Sequence, residues 1–330
     1  MTEPTYDILG IGNAIVDVVA QAEEAFLSRH DMHKGAMQLI DAATADALYA
    51  AMPPGLESSG GSVANSCAVA AALGARVAYI GKVADDQLGA VFRHDIRAIG
   101  VHFPTQPLAG GAPTARCLIL VTPDGQRTMN TFLGACVTLD EADLVPHLIA
   151  AAKVTYLEGY LFDPPAAQAA FYKAAEAAHA AGRQVALSLS DAFCVNRHRD
   201  AFRRLVAGHV DILFANEVEI TSLYEKDTFE EAAELARADV ALAVLTRSED
   251  GSVILRGAET VTVEAVPARV IDTTGAGDAY AAGFLTGLAG GKSLAACGRI
   301  GSIAAAEVIS HYGARPEADL QLLVKDAGLG

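Results

Sequence analysis

Six short apolar runs alternate along the chain with stretches patterned as helices, and no other feature narrows the fold as much. The runs are YDILGIG (6–12), VAYIGKV (77–83), KVTYLEG (153–159), QVALSLS (184–190), VDILFAN (210–216) and VALAVLT (240–246). Helix-like stretches such as 85–99 and 166–181 lie between several of them. Strands that are apolar on both faces and spaced by helices read as a mostly parallel sheet covered on both sides, an α/β fold. The 330 residues are enough for one large α/β domain with a small appendage, or for two domains.

Two regions break the alternation. AIVDVVAQA (14–22) is followed by GAMQLID (35–41), and ARCLILVTPDGQRTMNTFL (115–133) holds two strand-like runs joined by a Pro-Asp-Gly turn. Both read as antiparallel and foreign to the main sheet, so we expect a small β-sheet lid formed by about 14–41 and 104–133 on a single domain spanning 1–330. The hairpin GSVILRG/ETVTVEAV (251–266) reads as an antiparallel edge of the main sheet.

A formal net charge of −16 argues against nucleic acid or an anionic membrane as the main partner. It leaves small anionic ligands open, because a local cluster of donors binds phosphate even in an acidic protein. Apolar runs such as ALAVL (241–245) fall far short of the roughly 20 residues of a membrane span. The start, MTEPTYDILGIG, has no basic segment of the signal-peptide kind. The cysteines (67, 117, 136, 194 and 297) are odd in number and form no C-x-x-C pair, which fits a reduced, cytoplasmic setting.

The chemistry concentrates in DTTGAGDAYAAGFL (272–285). Gly275, Ala276 and Gly277 precede a helix-like run, so their amides would lie at the positive end of a helix dipole, where N–H groups lack partners. That is an anion site. Asp278 beside a bound phosphate suits a general base, and it suits an ordinary helix cap equally well. In SGGSVANSCAVAAALG (59–74), Gly60 and Gly61 permit close approach, and Asn65 offers a donor and an acceptor to a polyol. Taken alone, that stretch reads better as a tight turn before a helix. Asp17 lies in an apolar strand-like run with Asn13 four residues before it. Paired sugar hydroxyls would satisfy such a carboxylate, and so would solvent.

GGSVANS and DTTGAGDAYAAGF resemble the two signature segments of the ribokinase-like (PfkB) carbohydrate and nucleoside kinases, in the right order and roughly two hundred residues apart. The likeness runs from ILGIGNAIVD (8–17) through GKVADDQLG (81–89) to GARP (313–316). It implies a three-layer ribokinase-like fold with a β-sheet lid. It also implies that Asp278 is the base, that Gly275–Gly277 form an anion hole, and that Asn13, Asp17, Gly60, Gly61 and Asn65 bind the acceptor. NEVE (216–219) is similar to the family's N-x-x-E element, which makes Asn216 and Glu219 organisers of Mg2+ through water. Arg127 matches a lid position that approaches the phosphates; a surface ion pair is the alternative.

LTRSEDGSVIL (245–255) resembles the nucleotide loop T-x-G-x-x-G, with Thr246 and Gly251 retained and Ser248 in place of the first glycine. Adenine of ATP would lie near AAAEVISHYGARP (304–316), within reach of His311, and a monovalent cation such as K+ near Asp272 and Thr274. RTMNTFLGA (127–135) together with GNAIVD is more similar to the adenosine kinase branch than to ribokinase or fructokinase. Phe132, with Phe103 and Phe162, is a candidate for the base slot, and all three could equally be core. The segment DAFCVNRHRD (191–200) resembles one in bacterial adenosine kinases, and its residues suggest no role. The expected reaction is ATP-dependent phosphorylation of the 5' hydroxyl of adenosine. A ribose- or fructose-type sugar or another purine nucleoside is the alternative, and the expected assembly is a monomer or homodimer.

Two rivals fail on spacing. GLAGGKS (287–293) lacks the four-residue gap of a phosphate-binding P-loop, and GIGNAI (10–15) has Ile15 where a dinucleotide fingerprint needs its third glycine.

Overall fold

The computed structural model describes residues 3–330. In chain order the strands are β1 (Tyr6–Ile11), β2 (Ile15–Gln21), β3 (Met37–Leu39), β4 (Leu56–Gly60), β5 (Val77–Ile80), β6 (Ala115–Val121) and β7 (Arg127–Phe132). They continue with β8 (Ala152–Glu158), β9 (Gln184–Ser188), β10 (Ile212–Asn216), β11 (Leu242–Thr246), β12 (Ser252–Arg256) and β13 (Glu259–Val263). Eight of them form a sheet in the order β13-β12-β11-β10-β9-β8-β1-β5. Strands β5, β1 and β8 to β11 are parallel, and β12 and β13 close one edge as an antiparallel hairpin.

Alternation along each strand divides the core between the two faces. Ile8, Tyr156, Phe214 and Val244 point to one side, where they meet Val63 and Phe284 of the Ser62–Ala72 and Ala276–Ala289 helices. Leu9, Leu157, Leu213 and Leu245 point to the other, toward Phe171 and Phe202 of the Pro165–Ala180 and Ala192–His209 helices. The main sheet therefore lies between helices, as the alternating pattern predicts.

The second sheet has the order β3-β7-β6-β2-β4. It is mixed, not antiparallel throughout. Strands β2–β4 and β6–β7 are antiparallel, whereas β2–β6 and β3–β7 are parallel. A tight turn can only make an antiparallel pair, and β2 and β6 are joined instead by a long path through the core, which permits parallel pairing. Strand β4 was not foreseen, because LESSG carries no apolar alternation. The apolar cluster of the first face continues into this sheet through Val16 and Leu118. No helix of the described residues is long and apolar enough to cross a membrane.

Candidate functional site

Strand β1 lies between β8 and β5, so the strand order reverses beside it, and the crevice beyond the carboxyl ends of such strands is where α/β sheets bind ligands. Asn13 follows β1 and is buried, and its Nδ2 donates to Glu158 Oε1 at 2.8 Å. Glu158 ends β8, and its Oε2 accepts the Val63 N–H at 2.9 Å from the start of the Ser62–Ala72 helix. Only 1% of Glu158 is exposed, and that burial pushes its carboxyl up to about 7.

Between β4 and that helix stands Gly61, at φ 101°, where a Cβ would lie 2.1 Å from the Asn13 carbonyl oxygen. A Cβ on Gly60 would meet Asp17 Oδ2 at 2.3 Å. The glycine pair therefore makes room for the chain's own Asn13 and Asp17.

Asp278 is the third residue of the Ala276–Ala289 helix, and Ser62 Oγ donates to its Oδ1 at 2.6 Å. It is half-buried, and burial raises its carboxyl to about 6. Hydrogen bonds from Ser62 and Asn65 and the charge of Arg315 oppose that rise, while Asp17 adds to it. Asp17, half-buried on β2, is likewise raised to about 6 by burial, against the pull of Arg315 and Arg127. Two raised carboxyls from different elements thus belong to one site, the charge of Asp17 being felt at Asp278.

Gly275 caps the helix with φ 78°. The Ala276 N–H is already engaged, donating to Thr273 O at 3.2 Å. Among the described residues the N–H groups of Gly275, Gly277 and Asp278 have no acceptor. A Cβ on Gly277 would meet nothing within 4 Å, so the helix end opens onto free space. That combination suits an anion.

Asn216 and Glu219 form a capping box at the start of the Glu217–Tyr224 helix. The Glu219 N–H donates to Asn216 Oδ1 at 2.8 Å, and the Asn216 N–H and Nδ2 donate back to Glu219 at 3.0 and 2.7 Å. Burial pushes Glu219 up to about 7, with Asp191 and Asp278 contributing. Thr246 pairs with Asn216 across the β10–β11 ladder. Ser248 has φ 48°, a left-handed conformation that glycine adopts freely, so the loop keeps its shape despite the substituted residue. Gly251 has φ 82°, and a Cβ there would lie 2.0 Å from Val263 O.

Other expectations change with the geometry. Arg127 pairs with Asp272 at 2.7 Å, both only 8% exposed, so the pair is interior and not on the surface. Asp272 also accepts the N–H groups of Thr274 and Gly313 at 3.0 and 3.1 Å, which engages a carboxylate expected near a monovalent cation. His311 Nε2 lies 3.2 Å from Glu307 Oε1, tying the ring to the preceding Leu294–Val308 helix. Phe103 packs with Tyr79 and Phe92, and Phe162 with Phe171 and Phe202; both are core residues and line no base slot. Phe132 is partly buried at the end of β7. DAFCVNRHRD starts the Ala192–His209 helix, capped by Asp191 and broken at His198.

Glu158 and Arg315 escaped the sequence reading. A glutamate closing an apolar strand was the available signal for the first. For the second there was only an arginine in a loop whose place in space was unknown.

A model of the pfkB family of carbohydrate kinases matches residues 51–320. The solved structure of a probable sugar kinase protein from Rhizobium etli CFN 42 superposes with a TM-score of 0.91 and 50% identity over 99% of each chain. That of adenosine kinase from Sinorhizobium meliloti gives a TM-score of 0.89 and 54% identity, covering 98% of this chain and 99% of that one. The adenosine kinase of Saccharomyces cerevisiae is 27% identical, over 95% of this chain and 96% of its own. These likenesses favour the adenosine kinase branch, and with the match spanning most of its length the chain belongs to the pfkB carbohydrate kinase family, phosphotransferases that use ATP and act on a hydroxyl group.

Proposed function

We propose that the chain transfers the terminal phosphoryl group of ATP to the 5' hydroxyl of a nucleoside, adenosine first, with Asp278 as general base. The observation that carries this reading is the raised Asp278 carboxyl set at a helix start whose Gly275, Gly277 and Asp278 amides are unpaired. A carboxyl titrating near 6 is ionised at neutral pH yet close enough to it to exchange a proton efficiently. Asp17 and Asn65 orient the sugar hydroxyls, and Asp278 takes the proton of the attacking hydroxyl. The unpaired amides stabilise charge developing on the phosphoryl group, which is how this chemistry is mostly accelerated. The second sheet acts as the lid that excludes competing water.

Glu219 is the acidic group best suited to Mg2+: the charges of Asp191 and Asp278 are felt there, and a cation would relieve that repulsion. Among the described residues no three acidic, histidine or cysteine side chains cluster as a direct ligand set. Both Glu219 oxygens are already bonded by Asn216, so contact through water suits the site better than direct ligation. Bound with ATP, Mg2+ would neutralise phosphate charge. The Asp272 pairing with Arg127 leaves K+ without a ready carboxylate, and we assign it no role. Five free, buried cysteines support a cytoplasmic protein.

A free sugar is the second reading. The Rhizobium etli relative is described as a probable sugar kinase, and Phe103 and Phe162 provide no slot for a base. Coupled ADP release with adenosine, inosine, guanosine, ribose, fructose and 2-keto-3-deoxygluconate separates the two. Turnover confined to adenosine supports the proposal, and turnover of a free sugar alone refutes it.

A further inference from the structure

Arg315 comes from the segment between the Leu294–Val308 and Leu320–Asp326 helices, and it reaches the far side of the site. Its Nη2 donates to the carbonyl oxygen of Ser59 and, at 2.9 Å, to Ser59 Oγ, while Nη1 lies 3.5 Å from Ala64 O. Ser59 ends its own bonding on Asp95, whose Oδ2 accepts the Ser59 N–H at 2.8 Å and its hydroxyl at 2.5 Å. The guanidinium thus straddles the junction where β4 gives way to the helix bearing Ser62 and Asn65.

The same charge acts on Asp17 and on Asp278. Facing carboxylates resist joint ionisation unless a cation stands near both. The groups around Asp278 are Asp17 on β2, Glu158 on β8, Glu219 after β10, Tyr156 and Tyr160; Arg315 is the cation that acts on Asp278 from beyond its own helix.

We infer that Arg315 is a positioning residue of this site: it pins the β4–helix junction that carries Ser62 and Asn65. The inference rests on the kinase reading for its catalytic consequence, but the electrostatic part can be measured without turnover.

Two variants and two readouts test it. The carboxyl carbon resonance of Asp278, assigned by its loss in Asp278→Asn, is titrated without substrate, and kcat/KM for the acceptor is followed against pH. Arg315→Gln keeps a donor for Ser59 and removes the charge. It should raise both the carboxyl midpoint and the acid limb of the profile by about one pH unit, the scale for loss of a nearby opposite charge. An unmoved carboxyl midpoint overturns the electrostatic part, even if no acceptor is turned over and the kinase reading fails. Arg315→Lys keeps the charge and loses the fork. It should hold the wild-type midpoint and raise the acceptor KM with the ATP KM unchanged; a shift of both KM values together, or of neither, overturns the positioning role.

Discussion

The Glu158 carboxyl should make folding stability fall as pH rises. Its folded value is about 7, against an ordinary glutamate near 4.5, because burial penalises the charged form more than Asn13 and Val63 stabilise it. Between those two values the unfolded chain releases the proton while the folded protein retains it. Stability is therefore fully present below about pH 4.5 and is lost progressively until the pH passes about 7. A difference of about 2.5 in pKa corresponds to about 3 kcal/mol, with no screening discount because the side chain is 1% exposed. Asp17, Asp278 and Glu219 shift in the same direction, so the whole protein is not the cleanest comparison. Glu158→Gln cannot ionise, can still accept the Val63 N–H, and can donate to Asn13 if that amide turns over. Urea unfolding of both proteins at several pH values isolates the contribution. Wild type should lose about 3 kcal/mol relative to the variant between about pH 4.5 and 7.5. A difference that stays constant across that range would refute the buried-charge account.

Three further outcomes follow from the site. Asp278→Asn should lower kcat by roughly 10²-fold or more while calorimetric affinity for the acceptor changes only a few-fold; near-wild-type turnover would remove Asp278 as base. Gly61→Ala places a Cβ against the Asn13 carbonyl in a conformation closed to alanine, so denaturant unfolding should show a loss of about 3 kcal/mol or more. Ser248→Gly relieves a left-handed serine and should be neutral or stabilising by up to about 1 kcal/mol with the ATP KM unchanged; a clear destabilisation would show that the Ser248 side chain has a structural role.

The main sheet was legible because its strands are apolar on both faces and spaced by patterned helices. Strand β4 was not, since LESSG owes its pairing to β2 and not to its own residues. The parallel pairing of β2 with β6 depends on a path through the core that local pattern does not encode. Asp278, Asp17 and Asn65 stood out as polar residues beside glycines or within apolar runs, and the fold brings all three to one place. Glu158 and Arg315 were harder to find because each acts through a distant segment: the first through Asn13 and Val63, the second through Ser59. Of the two readings open for the phenylalanines, the core holds for Phe103 and Phe162, and sequence could not choose because aromatic residues near a site look alike whether they line a pocket or fill a core.

The order of strands in the second sheet also bears on how the chain can be made and cut. Ile15 stands opposite Ala115, so closing this pairing encloses about a hundred residues, among them β4 and β5. During synthesis β2 would emerge long before β6 and could pair at first only with β4. The second sheet therefore cannot be completed until β6 and β7 have emerged, and a nascent chain halted before Ala115 exposes an unpaired strand edge of the kind that invites association with other chains.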